Sequence, residues 1–388
     1  MQPVGTRSGS HLKGGYEQVG RHTRHPGYPS YYGGFETLVR VLAPYLVDQG
    51  WDVTVYGHAG STKVDDPHAD PRVRTLVTSG WESKSLSTLS YGLTSTARAA
   101  RERPDVALIM NVANGYWLPL LKARGIPTAL NVDGIEWERA KWGRLAKNTF
   151  RGGARMTALL ADRLIFDSSA IAGRWSADFN RDGDFIPYGG TTPATLAPVE
   201  GLATGPYALM IARFVPENTV AEFFEAAERL SDKWDVVIVG STGHGGEFDS
   251  AARRLADSSP RIHWLGHISD DNKLFALWQH AGVYFHGHSV GGTNPALVQA
   301  MACGAPIVAR DTVYNREVLG DAGTFVDPDG AAIAKALDQT LSDPQRQTDL
   351  RNRAYRRQKA NYTWEQVCNS YERSLLDIAR EVSPQQSV

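Results

Sequence analysis

VYFHGHSVGGTNPALVQAMACGAPIVARD, residues Val283–Asp311, decides the fold class. An apolar β-branched and aromatic run (Val283–Gly287) comes first. A glycine-rich turn, a segment of helical spacing (Ala296–Gly304) and a second apolar run (Pro306–Arg310) follow. Short apolar runs read as strands buried on both faces, and a helix between two of them makes the strands parallel. The same alternation extends in both directions. Upstream runs are Asp52–Tyr56, Asp105–Met110, Pro127–Val132, Arg163–Ser168, Tyr207–Arg213 and Asp235–Gly240; Gly323–Asp327 lies downstream. Helical periodicity marks Phe35–Gly50, Val220–Leu230 and Asp271–Ala281 between them. The spacing predicts an α/β chain built from parallel sheets.

The alternation occurs twice, which suits 388 residues better than one domain does. Residues 1–190 form the expected first domain, 191–206 a linker, 207–360 the second domain and 361–388 a C-terminal helical tail. Thr191–Pro206 is rich in Pro, Thr, Gly and Ala, as linkers are. The first strand is weak. Around GGYEQVGRHTRHPGYPSYY no apolar run appears, so either the first strand is short, Tyr16–Gly20 at best, or a mobile loop takes its place. Net charge is −1, which gives no reason to expect nucleic acid as a partner. Two cysteines far apart point to a reducing cytoplasm rather than a disulfide framework. The polar N-terminus lacks the apolar centre of a signal peptide, and no apolar run is long enough to span a membrane.

In open parallel sheets ligands gather at the carboxyl ends of strands. Gly33 and Gly34 stand before a helix, where a backbone without Cβ can approach an anion; a plain tight turn needs the same residues. His288, Gly291, Gly292, Thr293 and Asn294 follow a strand and precede Pro295, which suits a first helical turn. Their amides fit a diphosphate, and a glycine turn with an Asn cap fits them too. Arg213 ends a strand, placed either for a phosphate or for an ion pair with Glu217. Asp133 and Glu136 follow another strand and suit an acceptor hydroxyl, although Asp133 equally suits a helix cap. His286 and His288 share a strand face, and hydrogen bonding is favoured over a metal because no further ligands are in view. No GxGxxG follows a strand, and neither GxxxxGK[ST] nor GxSxG is present, so dinucleotide, P-loop and serine-hydrolase readings lack support.

Taken together, GYPSYYGGFETL, NVDGIEWERAKW, ARFVPEN and HGHSVGGTNPALVQAMACG resemble glycosyltransferase family 4, in its bacterial rhamnosyltransferase-like branch. The resemblance runs from about Gly27 to Ala379. It implies a GT-B fold: two Rossmann-like domains facing across a cleft, with the C-terminal helix crossing back to the first. It implies a retaining transferase that needs no metal or other cofactor and takes a GDP-, dTDP- or UDP-linked sugar as co-substrate. Domain closure would exclude water.

The residues implied for the donor are Gly33, Gly34, Arg213, Asn218, Gly240, His286, Gly291, Gly292, Thr293, Asn294 and Gln299. Asn111, Asp133 and Glu136 are implied for the acceptor, and Asp133, Arg213 and His288 form the implied catalytic set. Three positions depart from the family pattern. Gly291 and Gln299 stand where two glutamates are usual, and Asn218 stands where a lysine is usual. An amide at Gln299 points to altered ribose recognition, for which a deoxyribose nucleotide is one explanation. The acceptor stays open between a small molecule of natural-product biosynthesis and a polysaccharide or lipid-linked glycan. A homodimer and a peripheral membrane contact stay open too, although no basic amphipathic helix is evident. The alternatives to transfer are a sugar-nucleotide-binding protein without catalysis and a sugar phosphorylase on the same fold.

Overall fold

The computed structural model describes residues 13–17, 34–58, 69–81, 87–132, 134–139, 142–202, 205–243 and 245–382. The chain divides into two compact units. One comprises 1–167, 172–186 and 368–388; the other comprises 168–171 and 187–367.

The first unit contains β1 (Lys13–Glu17), α1 (Gly34–Asp48), β2 (Asp52–His58), β3 (Arg74–Thr78), α2 (Ser87–Glu102) and β4 (Val106–Met110). It continues with α3 (Leu118–Lys122), β5 (Thr128–Val132), α4 (Arg144–Leu160), β6 (Arg163–Phe166), most of α5 (Ser169–Phe179) and β7 (Asp184–Phe185). Its sheet has the order β3-β2-β1-β4-β5-β6-β7, and every pair is parallel. β4 and β5 are buried at every position, as expected for strands covered on both faces. Leu38, Leu42 and Leu46 of α1 recur at i, i+4 and i+8 and are all buried. Pro44 lies within that helix.

The weak first strand is a real one, but earlier than expected. Lys13–Glu17 takes the centre of the sheet between β2 and β4, not Tyr16–Gly20. Two glycines and two charged residues conceal it, because its pairing is supplied by its neighbours rather than by an apolar pattern of its own.

The second unit contains β8 (Tyr207–Ile211), α6 (Val220–Leu230), β9 (Asp235–Val239), α7 (Glu247–Ser258), β10 (Ile262–Trp264), α8 (Asp271–His280) and β11 (Val283–His286). It continues with α9 (Pro295–Ala302), β12 (Ile307–Arg310), α10 (Val313–Leu319), β13 (Thr324–Val326), α11 (Gly330–Leu341) and α12 (Pro344–Asn361). The sheet order is β10-β9-β8-β11-β12-β13, again parallel throughout. One face packs Leu209, Val237 and Ile307 against α8 and α9. The other packs Met210, Ile238 and Val308 against α6 and α11.

The last helix, α13 (Trp364–Val382), begins in the second unit, and from Cys368 onward it belongs to the first. There Trp51 Nε1 donates to Glu372 (3.1 Å), and Asn131 Nδ2 donates to the buried hydroxyl of Tyr371. This is the two-sheet fold with a returning helix that the resemblance implies. Among the described residues, no helix is long and apolar enough to cross a membrane.

Candidate active site

In each sheet the chain builds outward from one strand and then returns to build the other way. That reversal lies between β8 and β11 in the second sheet and between β1 and β4 in the first. Loops leaving the carboxyl ends of such a strand pair diverge and open a crevice for ligand.

At the second crevice Arg213 follows β8. Its guanidinium is exposed and makes no ion pair among the described residues, so pairing with Glu217 does not occur. The backbone behind it is tied down. Asn218 donates from Nδ2 to the Arg213 carbonyl (2.8 Å), which directs its Oδ1 to His288 Nδ1 at 2.6 Å. An amide oxygen only accepts, so neutral His288 carries its proton on Nδ1 and keeps Nε2 as its acceptor. Asn218 thus joins the loops that follow the two neighbouring strands. Thr219, fully buried, has φ +57°, a costly conformation for a β-branched residue. It is held there by its hydroxyl, which donates to the Gly287 carbonyl (2.6 Å) and accepts from Arg310 (3.1 Å). A Cβ at Gly287 would strike the Asn218 carbonyl, so this close approach requires glycine.

The turn before α9 runs through Gly291 (φ +87°), Gly292, Thr293 and Asn294. Thr293 is buried and the other three are half-buried. Asn294 caps the helix, its Oδ1 accepting from Ala296 N (2.9 Å), and Pro295 occupies the first turn. The cap and the glycine turn coexist here, and the cap satisfies one amide that an anion would otherwise meet.

His286 lies inside the sheet at 3% exposure. Its Nδ1 is 3.1 Å from the Tyr284 hydroxyl, and its Nε2 is buried without a hydrogen-bond partner. Burial lowers its pKa to about 3, so it stays neutral through the physiological range. Gly240 (φ +146°) follows β9, where a Cβ would strike the Ala212 carbonyl. Gln299 turns its amide to the backbone of Thr191, donating to its carbonyl (2.7 Å) and accepting from its N–H (2.9 Å). Both polar ends are thereby engaged, an arrangement that a carboxylate could satisfy only by half.

Beyond Gly240, sequence reasoning missed the loop after β9. Asp249 gathers it by accepting from the amides of Thr242 and Gly246, both at 3.1 Å. Burial alone would raise this carboxyl's pKa, but hydrogen bonds from Ser241, Thr242 and the loop amides outweigh it and hold the value below the usual carboxylate range. A concavity lined by Ser241, Asp249, Arg253, Arg254 and Trp264 opens beside this loop. The signal was present in the glycines of GSTGHGG, but Asp249 reads there as an ordinary first-turn acid.

The first crevice is different. Gly33 and Asp133 lie outside the described residues. Gly34 begins α1. Asn111 follows β4 with φ +73°, and its Oδ1 accepts from Ala113 N (2.9 Å), capping a 3₁₀ turn at Val112–Trp117. Glu136 is 2% exposed. One of its oxygens pairs with Arg139 (2.8 Å), and the other accepts from Trp142 Nε1 (3.1 Å). Among the described residues no cluster of His, Cys, Asp and Glu suits a metal ion.

Comparison with known proteins agrees with this layout. A family model described as glycosyl transferases group 1 matches residues 197–357, and a glycosyl transferase 4-like domain matches 33–189. O-antigen chain mannosyltransferase B of Escherichia coli is 28% identical over 171 residues, 41% of this chain and 43% of that one. Phosphatidyl-myo-inositol mannosyltransferase of Mycolicibacterium smegmatis is 33% identical over 157 residues, 39% of this chain and 40% of that one. The matched stretch is therefore less than half the length of these curated relatives.

Two solved structures share the fold at low identity. Sucrose-phosphate synthase from Thermosynechococcus elongatus has a TM-score of 0.77 at 18% identity, covering 94% of this chain and 98% of that one. Anabaena HepE in complex with UDP-glucose has a TM-score of 0.74 at 14% identity, covering 97% and 100%. With both halves matched by adjoining family models and the whole by the fold, the chain belongs to the GT-B glycosyltransferases of the family 4 type.

Proposed function

We propose that the protein transfers a sugar from a nucleotide-diphosphate donor to an acceptor, with retention at the anomeric carbon and without a metal. One observation carries this reading. The exposed Arg213 and the glycine turn before α9 leave neighbouring strands at the switch point of one sheet, and Asn218 bonds to both loops. A diphosphate placed there would meet the guanidinium and the turn amides, which would stabilise the charge that develops as the sugar leaves. His288, with Nε2 as acceptor, would hold a sugar hydroxyl. The leaving phosphate would help to deprotonate the acceptor. Gly33, Gly34 and Asp133 keep their proposed donor and acceptor roles on the strength of the family motif.

The relatives' names favour a glycan or lipid-linked acceptor over a small molecule. Besides the two mannosyltransferases, an N-acetylgalactosaminyltransferase of Campylobacter jejuni is named for a diphospho-undecaprenol substrate, with 34% identity over 117 residues. The rhamnosyltransferase-like placement within the family rests on the quoted motifs.

A thermal-shift panel of UDP, GDP, ADP and dTDP, each with and without EDTA, tests the reading. An EDTA-insensitive shift with one nucleotide is the expected result and names the donor class. A win for dTDP would name a deoxyribose donor without assigning its recognition to Gln299, whose amide is bonded to Thr191. No shift with any of them would sink the sugar-nucleotide site. A shift without turnover on any acceptor would leave a binding protein.

A further inference from the structure

Helix α4 carries Arg144, Lys147, Arg151 and Arg155 and no acidic residue over its 17 positions. One face is sealed. Phe150, Gly153, Ala154 and Thr157 are buried. Gly153 lies so close to the 3₁₀ turn after β4 that a Cβ there would sit 2.6 Å from the Val112 carbonyl. Thr157 Oγ1 donates to that same carbonyl (3.3 Å). The helix cannot roll without breaking this contact.

The opposite arc is open to solvent. Arg144, Asn148, Arg151, Arg155 and Leu159 recur at spacings of three and four and are all exposed. Leu145 is 83% exposed and Leu159 74%, one at each end of the arc. None of the four cations pairs with a carboxylate among the described residues.

Helix α12 shows what an arginine-rich helix looks like when its charges serve the fold. There Arg351, Arg353 and Arg357 donate to the carbonyls of Gln279, Asp321 and Val318, and Arg353 also pairs with Asp349. The cations of α4 have no such partners, and they share their arc with two leucines. Cations beside leucines, without acids, suit the boundary between anionic headgroups and acyl chains. Nucleic acid fits less well, because the arc offers no aromatic ring for base stacking and the chain as a whole carries a net charge of −1.

We propose that the exposed face of α4 docks the protein peripherally on an anionic lipid surface. The arginines would lie among the headgroups, with Leu145 and Leu159 entering the acyl boundary. In the sequence this helix does not stand out as amphipathic, because Gly153 and Thr157 interrupt its buried side.

The test is co-sedimentation of the full chain with vesicles, without donor or acceptor, so the result does not depend on sugar transfer. Vesicles of equal parts phosphatidylglycerol and phosphatidylcholine should bind it, and pure phosphatidylcholine should not. Binding should collapse near 1 M salt, where the screening length falls to about 3 Å. The double substitution Arg151→Gln/Arg155→Gln should weaken binding by about 30-fold. Leu145→Ser/Leu159→Ser should weaken it by about tenfold or more while leaving the salt dependence in place. Equal binding to both vesicle types, or none to either, overturns the proposal. So does an unchanged affinity in the leucine variant, which would mean a bare polyanion contact. All four positions are exposed, so the melting temperatures should match that of the unaltered protein.

Discussion

At the switch point of the second sheet, Arg213 stands outward and Asn218 ties two loops together. At that of the first, Asn111 and Glu136 are turned inward. Arg213 is exposed and makes no ion pair among the described residues, and Asn218 fixes the tautomer of His288. Asn111 and Glu136 occupy corresponding strand ends in the first sheet, yet Asn111 caps its own turn and Glu136 is bound to Arg139 and Trp142. In sequence, both sets are polar residues following an apolar run. The difference shows that position at a strand end is necessary for a ligand role and insufficient for it. What decides is whether the fold has already supplied the side chain with a partner.

The largest expected effect tests the inward-facing half. Glu136→Ala removes one member of a buried ion pair and leaves Arg139 uncompensated, which should cost about 3–5 kcal/mol in urea unfolding. Unchanged stability together with lost transfer would move Glu136 to the working side of the comparison. Arg213→Ala should do the reverse. It should lower kcat/KM by about 10²–10³ at constant melting temperature, because among the described residues the exposed side chain makes no ion pair that supports the fold. A large drop in melting temperature would break the contrast.

His286 gives a pH test within the second sheet. The folded chain keeps this ring neutral down to about pH 3, whereas the unfolded chain protonates it near its ordinary value of 6.5. As pH falls through that window the unfolded state binds the extra proton, so stability declines, by about 3 kcal/mol between pH 7 and pH 4. In His286→Gln that part of the slope should vanish, as read from urea unfolding across the range. The smallest effect is expected at Gln299. Gln299→Glu keeps the bond from Thr191 N but sets a carboxylate oxygen against the Thr191 carbonyl, for a loss of about 1 kcal/mol. If Gln299→Glu instead tightens nucleotide binding with no loss of stability, the residue belongs to the ribose after all.

Much of this was legible. The central strands, from β4 and β5 to β8, β9 and β11, announce themselves by largely apolar runs, and α6 was read at its true limits, Val220–Leu230. Strands β3, β7 and β10 were missed. β7 and β10, of two and three residues, hold too few positions for a period to appear, and β3 has no fully buried position to mark it as an apolar run. Helix α12 was missed because its arginines mask its few buried residues, Leu350, Ala354 and Gln358. In the site, Arg213, His288 and the glycine turn were found by residue type and place. The tie through Asn218 was not, since it joins residues 70 apart in the chain.

The sequence alone determined the two parallel α/β sheets, the glycine turn with its proline-started helix, and a cation at a strand end. These are local patterns, written by periodicity and backbone preference over a few residues. Only the tertiary structure decided which polar groups are spent within the fold. A carboxylate such as Glu136, an amide such as Gln299 and an imidazole such as His286 each look available until their surroundings are known. Their partners or their burial come from chain folded over them, and no local pattern records it.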